Sequence, residues 1–179
     1  LMRDLGVIQR LPRLCVAQAE RANPLYRAWK KGFDNYVPMT AQATAASAIQ
    51  IGDPVSIERA IRVLKATDGV VEQASEDELA DASARADRTG MYNCPDTGVA
   101  LAAVEKLVTR GAIEKSHRVV VVSTAHGLKF SEFKHKYHTG GLSEAVSRYA
   151  NVPIELPPDA DAVRKAIDLR FGKTVTAIS

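Results

Sequence analysis

Apolar residues along this chain gather into short runs that take turns with longer helical stripes. Arg13-Leu-Cys-Val-Ala-Gln18 predicts a short apolar strand, and Gly69-Val-Val-Glu-Gln-Ala74 predicts another. Pro24 opens a short helix through Leu25, Tyr26 and Trp29. Residues 30–46 lack a clear period and predict irregular structure. Behind the punctuation of Asp53-Pro-Val-Ser56, Ile57, Ala60, Ile61 and Leu64 recur at helical spacing. Ser75-Glu-Asp-Glu78 is a capping box leading into a helix through Leu79, Ala82 and Ala86 that ends at Gly90. Asp96 or Thr97 is the expected cap of the next helix, whose face is Val99, Leu101, Ala102, Val104, Leu107 and Val108 before Gly111. Ile154-Glu-Leu156 predicts a last short strand, and Asp159 starts an amphipathic helix through Val163, Ile167 and Leu169. Leu1, Met2 and Leu5 read as the last turn of a helix with Gly6 as its C-cap, which predicts a piece of a longer chain.

One run stands apart. Arg118-Val-Val-Val-Val-Ser-Thr-Ala-His-Gly-Leu-Lys129 predicts a strand buried on both faces, stopping on hydroxyls, an imidazole and a glycine. Small polar residues at the C-terminal end of such a strand are where open α/β sheets bind ligands. Together the elements predict an α/β fold: a mostly parallel, doubly wound sheet with flanking helices.

Composition narrows the function classes. At 179 residues, 46% hydrophobic and 25% charged, the chain matches one ordinary globular domain. Its net charge of +3 is spread along the sequence and leaves no nucleic-acid footprint. No apolar run of about 18 residues exists, so no membrane span is expected. Cys15 and Cys94 are isolated thiols without metal-type spacing, and they read as reduced core or near-site residues. His135 and His138 lie among Lys134 and Lys136, and cationic neighbours disfavour a metal there, so no metal site is expected. Glu76, Asp77, Glu78 and Asp81 sit in the first turns of a helix, where acids complement the dipole, and predict a solvated face.

Four blocks carry a family resemblance. They are Gly6 to Tyr26, Ala46-Ser-Ala-Ile-Gln-Ile-Gly-Asp-Pro-Val-Ser56, Thr89-Gly-Met-Tyr-Asn-Cys-Pro-Asp-Thr-Gly-Val-Ala-Leu101 and Val122-Ser-Thr-Ala-His-Gly-Leu-Lys-Phe130. In this order and spacing the chain resembles plant-type threonine synthases, fold-type II enzymes that use pyridoxal 5'-phosphate. The resemblance implies that residues 1–179 form the C-terminal portion of such an enzyme, mainly of its large domain, with the N-terminal part absent. It implies conversion of O-phosphohomoserine and water into threonine and phosphate, with the cofactor as electron sink. It implies a homodimer in a plastid, with activation by S-adenosylmethionine.

The resemblance also assigns residues. Thr124 corresponds to the hydroxyl that hydrogen-bonds the cofactor's pyridine nitrogen; on its own the residue reads as a strand end satisfying its backbone. Ser123, His126, Gly127 and Thr97 are the expected lining of the cleft. Gly127 suits a close backbone approach or a tight turn. His126 suits contact with substrate phosphate, proton transfer, or a plain carbonyl bond. Family members often carry His where this chain has Asp96. Gln50 to Asp53 resembles another cleft wall, though Gly52-Asp53-Pro54 also makes an ordinary turn. Lys129 is not the covalent anchor of the cofactor, because the family's anchoring lysine lies in a different motif. Neither that motif nor a phosphate-holding loop occurs here, so no catalytic residue is expected in this chain alone. A missing N-terminal half or a partner chain must supply them. The competing reading is a non-catalytic fragment reused as a structural subunit of a large assembly, in which case a mitochondrial location is open.

Overall fold

A pair of parallel strands divides the molecule into two helical layers. In the computed structural model, which describes residues 1–172, strand β1 (Cys15–Ala19) runs parallel to β2 (Val70–Ala74). The register places Cys15 opposite Val70 and Ala19 opposite Ala74. Between them the chain crosses over through helices α1 (Pro24–Trp29) and α2 (Ile57–Ala66). Side chains on a strand alternate between faces. Val16 and Val71 therefore meet Leu25, Trp29, Ile61 and Leu64 on the α1/α2 side. Ala17, Ala19 and Ala74 face the other way, onto α3 (Glu76–Asp87) and α4 (Pro95–Thr109), where Leu79, Ala82, Val99 and Ala102 complete the larger core. Helices on both sides of a parallel sheet make this an α/β fold, as the alternating pattern predicts.

The residue types explain the close spacing of the second layer. Four small residues of α3, Ala80, Ala82, Ser83 and Ala84, are buried together with Leu79, and Gly98 of α4 fits against them. A Cβ at Gly98 would overlap the Leu79 carbonyl oxygen and come within 3.2 Å of Ser83 Cβ. Glu72 lies on the same sheet face, 2% exposed, and Arg110 at the end of α4 pairs with it. That pair fixes the C-terminal end of α4 against the sheet, as Gly98 fixes its start against α3.

Three expectations are corrected. Residues 118–122 form no strand: Val120 is 89% exposed and Val122 73%. A buried strand needs a sheet edge to pair with and helices on both faces. Among the described residues β1 and β2 pair only with each other, so the valine run has no strand beside it. Residues 154–156 are likewise exposed and unpaired. The acidic first turns of α3 are not a solvated face. Glu76 accepts from Thr44 Oγ1 at 2.5 Å and from the Ala45 amide at 2.9 Å. Asp77 accepts from the Val146 amide at 2.8 Å and from Arg148 at 2.7 Å. Asp81 is buried and takes the Tyr137 hydroxyl at 2.6 Å. Each acid anchors a distant segment, so the helix start is a docking point rather than a solvated edge. Burial pushes the Asp77 carboxyl up, but the Val146 amide and the Arg148 guanidinium outweigh it and hold it below its ordinary value.

The capping box on α3 is complete, with Ser75 Oγ accepting from the Glu78 amide and the Glu78 carboxylate accepting from the Ser75 amide. Asp159 Oδ1 likewise accepts from the Ala162 amide at the start of the terminal helix (Ala160–Phe171). Gly98→Ala tests the helix–helix spacing. Alanine favours a helix over glycine by about 1 kcal/mol, but the overlap with Leu79 carries a typical overpacking cost of about 1–3 kcal/mol. The urea midpoint should therefore fall at constant m-value. A raised midpoint would show that the two helices can separate freely.

Candidate functional site

The start of α4 gathers the candidate residues. Neither Asp96 nor Thr97 caps this helix. The cap is Cys94, whose Sγ accepts from the Thr97 amide at 3.4 Å. Pro95 follows in the first turn, where its missing N–H costs nothing. Cys94 is fully buried and Thr97 is 1% exposed.

The segment after the valines lies against this cap. The Cys94 amide donates to the Ala125 carbonyl at 3.1 Å, and the Gly127 amide donates to the Tyr92 carbonyl at 2.9 Å. These two bonds make an antiparallel bridge between Asn93 and His126. The bridge brings two hydroxyls onto the helix start. Ser123 Oγ is 3.2 Å from Thr97 Oγ1, and Thr124 Oγ1 is 3.6 Å from Cys94 Sγ. Thr97 Oγ1 in turn is 3.2 Å from Cys94 Sγ. Three hydroxyls and a thiol thus form one contiguous polar cluster, with Ser123 and Thr124 on its exposed side. Burial raises the Cys94 thiol, but bonds from the Thr97 and Thr124 hydroxyls and from the Thr97 and Ala125 backbone hold it below its ordinary value.

His126 and Gly127 have defined local roles. His126 is exposed, and its Nδ1 accepts from the Leu128 amide at 3.2 Å, capping the 3-10 turn Gly127–Phe130. This leaves Nε2 as the ring's donor. Gly127 is buried because Tyr92 occupies its surroundings: a Cβ there would come within 2.8 Å of the Tyr92 ring and 2.9 Å of the Asn93 carbonyl. The close approach that glycine permits is therefore to the protein's own chain. Gly52 behaves similarly, since a Cβ on it would overlap the Met39 carbonyl. The segment from Gln50 to Asp53 is not brought to the cluster by any hydrogen bond among the described residues.

The bridge rests on a buried polar node that sequence reasoning missed. Helix α5 (Ser131–His138) inserts Lys134, 3% exposed, between α3 and the Tyr92–Asn93 turn. Its Nζ donates to Asp87 Oδ2 at 2.6 Å and to Ser83 Oγ at 2.7 Å, and it lies 5.0 Å from the centre of the Tyr92 ring. Asp87 Oδ1 accepts from the Asn93 amide at 3.2 Å and from Asn93 Nδ2 at 3.3 Å. Asn93 Oδ1 accepts from Ser83 Oγ at 3.2 Å. Burial pushes the Lys134 ammonium down, and Asp87 opposes that shift. The sequence signal was ambiguous, because Lys134 lies in a run of basic residues whose charges do not reveal a buried partner.

Among the described residues no three His, Cys, Asp or Glu side chains group as metal ligands, and no helix is long and apolar enough to cross a membrane.

Comparison with known proteins adds independent weight. A family model for pyridoxal-phosphate dependent enzymes matches residues 2–125, a stretch that includes Thr97, Ser123 and Thr124. The chain is 53% identical over 157 residues to threonine synthase 2, chloroplastic, of Arabidopsis thaliana, covering 87% of this chain and 30% of that protein. It is 27% identical over 163 residues to the threonine synthase of Methanocaldococcus jannaschii, covering 90% of this chain and 37% of that protein. The crystal structure of threonine synthase from Escherichia coli superposes with a TM-score of 0.55 at 16% identity, over 89% of this chain and 38% of that one. This last likeness concerns the fold alone. The chain spans roughly a third of the length of these relatives, from 30% to 38%.

The buried node makes a quantitative prediction. Asp87→Asn leaves the Lys134 ammonium buried without its counter-charge, which should cost about 3–5 kcal/mol. Lys134→Met leaves Asp87 bonded to Asn93 and should cost less, about 1–3 kcal/mol. Urea unfolding of both variants checks the order; equal or reversed losses would contradict it.

Proposed function

We propose, from the premise that this chain belongs to the pyridoxal-phosphate dependent enzyme family, that it forms one wall of the cofactor cleft of a threonine synthase. In this reading the complete enzyme converts O-phosphohomoserine and water into threonine and phosphate. Residues 1–179 are its C-terminal portion, and the covalent anchor and phosphate cradle come from the remainder of the enzyme or from a second chain. The similarity to a chloroplastic protein supports a plastid location, and the reading takes the working form to be a homodimer.

One observation carries the proposal. Thr124 presents an exposed hydroxyl whose one hydrogen-bond contact among the described residues is a sulfur at 3.6 Å. A hydroxyl that is held but not consumed keeps its proton for an external acceptor. An unprotonated pyridine nitrogen is such an acceptor, and a neutral hydroxyl suits it where a carboxylate would protonate it. The donor set here therefore fits the ring-nitrogen end of pyridoxal phosphate. When bound, that group supplies an electron sink for carbanion chemistry.

The chain's own residues do the rest by placement. Thr124 donates to the ring nitrogen and sets how electron-poor the ring becomes. Thr97 and Ser123 hold the Thr124 side of the cleft through their mutual hydroxyl contact. His126 offers its Nε2 proton to the substrate phosphate. Gly127 keeps the turn flat against Tyr92, so that Thr124 stays in register with the start of α4.

Turnover of O-phosphohomoserine by the enzyme containing this segment tests the reading, with phosphate release and threonine measured together. Leaving the ring nitrogen without its donor costs about 1–3 kcal/mol. Thr124→Val should therefore lower kcat by about 5- to 100-fold, with Thr124→Ser retaining most activity. A colourless wild-type protein that releases no phosphate and purifies within a large assembly would overturn the proposal in favour of a purely structural role.

A further inference from the structure

We propose that Cys94 is a positioning residue that aims the Thr124 hydroxyl proton at the cofactor ring. The inference rests on the reading of Thr124 given above and extends it to a residue which that reading leaves unassigned.

The argument is a placement of protons. Ser123 Oγ, Thr97 Oγ1, Cys94 Sγ and Thr124 Oγ1 form a linear chain with steps of 3.2, 3.2 and 3.6 Å. Each member carries one hydrogen and can donate once. Four arrangements are consistent, and each leaves one member's proton free. In one, Ser123 donates to Thr97, Thr97 to Cys94 and Cys94 to Thr124, which leaves the Thr124 proton free. In the other three, Thr124 donates inward to Cys94, and the free proton stays on Ser123, Thr97 or Cys94.

A hydrogen-bond acceptor facing Thr124 selects the first direction, because only then does Thr124 have a proton to give. Every donor in the run then strengthens the next. The thiol is the member that makes this possible. It is fully buried, so no water competes for its hydrogen, and its Sγ already accepts the Thr97 amide at 3.4 Å. Without the sulfur, the Thr124 hydroxyl would rotate freely and turn toward backbone carbonyls, as threonine side chains do at strand ends.

Two substitutions separate positioning from packing. Cys94→Ala removes the donor, whereas Cys94→Ser keeps a donor of similar size. The probe is pyridoxal phosphate labelled with nitrogen-15 in its ring, bound to the complete enzyme. Its ring-nitrogen chemical shift reads the hydrogen bond directly and does not depend on turnover. Thr124→Val should move the shift away from the wild-type value, Cys94→Ala should move it partway in the same direction, and Cys94→Ser should restore it. A Cys94→Ala shift equal to wild type, with Thr124→Val displaced, would overturn the positioning role alone. An unmoved shift in Thr124→Val, or failure of the wild type to bind the labelled cofactor, would overturn the reading on which the role rests.

Discussion

Lys134 carries an ammonium group into the interior between α3, α5 and the Tyr92–Asn93 turn, and Asp87 is the charge that answers it. A buried ammonium is tolerable only when it is paired and its remaining protons are bonded. Asp87 and Ser83 meet that demand, and their other atoms reach Asn93. The turn that carries Asn93 is thereby fixed to two helices. Its backbone then holds residues 125–127 in the antiparallel bridge. The position of Thr124 is thus inherited: from a salt bridge to a turn, from the turn to a bridge, and from the bridge to a hydroxyl. None of these steps uses the sheet directly.

The proposed cleft edge combines rigid and uncovered parts. Its base is the start of α4, a helix pinned to α3 at Gly98 and, at its far end, to the sheet through Arg110 and Glu72. Its outer side is Ser123 and Thr124, at the end of an exposed valine run. The proposed cleft wall accounts for uncovered valines beside this hydroxyl cluster, with the opposite wall contributed from elsewhere in that reading. The same exposure makes residues 118–122 a natural edge for another strand to join.

Much of the architecture was legible in the sequence because its signals were local. The capping box at Ser75, Pro24 at the first position of α1 and the period of Ile57, Ala60, Ile61 and Leu64 each state a local preference that packing did not oppose. The valine run misled for the opposite reason: four β-branched residues state that a strand is possible, while burial depends on a sheet edge that the run itself does not encode. Cys94 displaced Asp96 and Thr97 as the helix cap because sulfur is a poor cap by type and was overlooked, although its place directly before Pro95 marked it. The roles of Asp77, Asp81 and Lys134 were hidden because a charge run reads the same whether its partners are water or residues far away in sequence. Thr124, Thr97 and Ser123 stood out through the resemblance of their motifs; the contact of Thr124 with Cys94 and the Lys134–Asp87–Asn93 node behind it are visible only in three dimensions.

The central claim is that Thr124, aligned by the start of α4, faces the ring nitrogen of pyridoxal phosphate. The most direct measurement is a crystal structure of the complete enzyme with that cofactor bound. The account predicts Thr124 Oγ1 within about 3.2 Å of the pyridine nitrogen, an ordinary hydrogen-bond distance. A pyridine nitrogen bonded instead to a carboxylate, or a cofactor bound away from the Ser123–Gly127 edge, would contradict it.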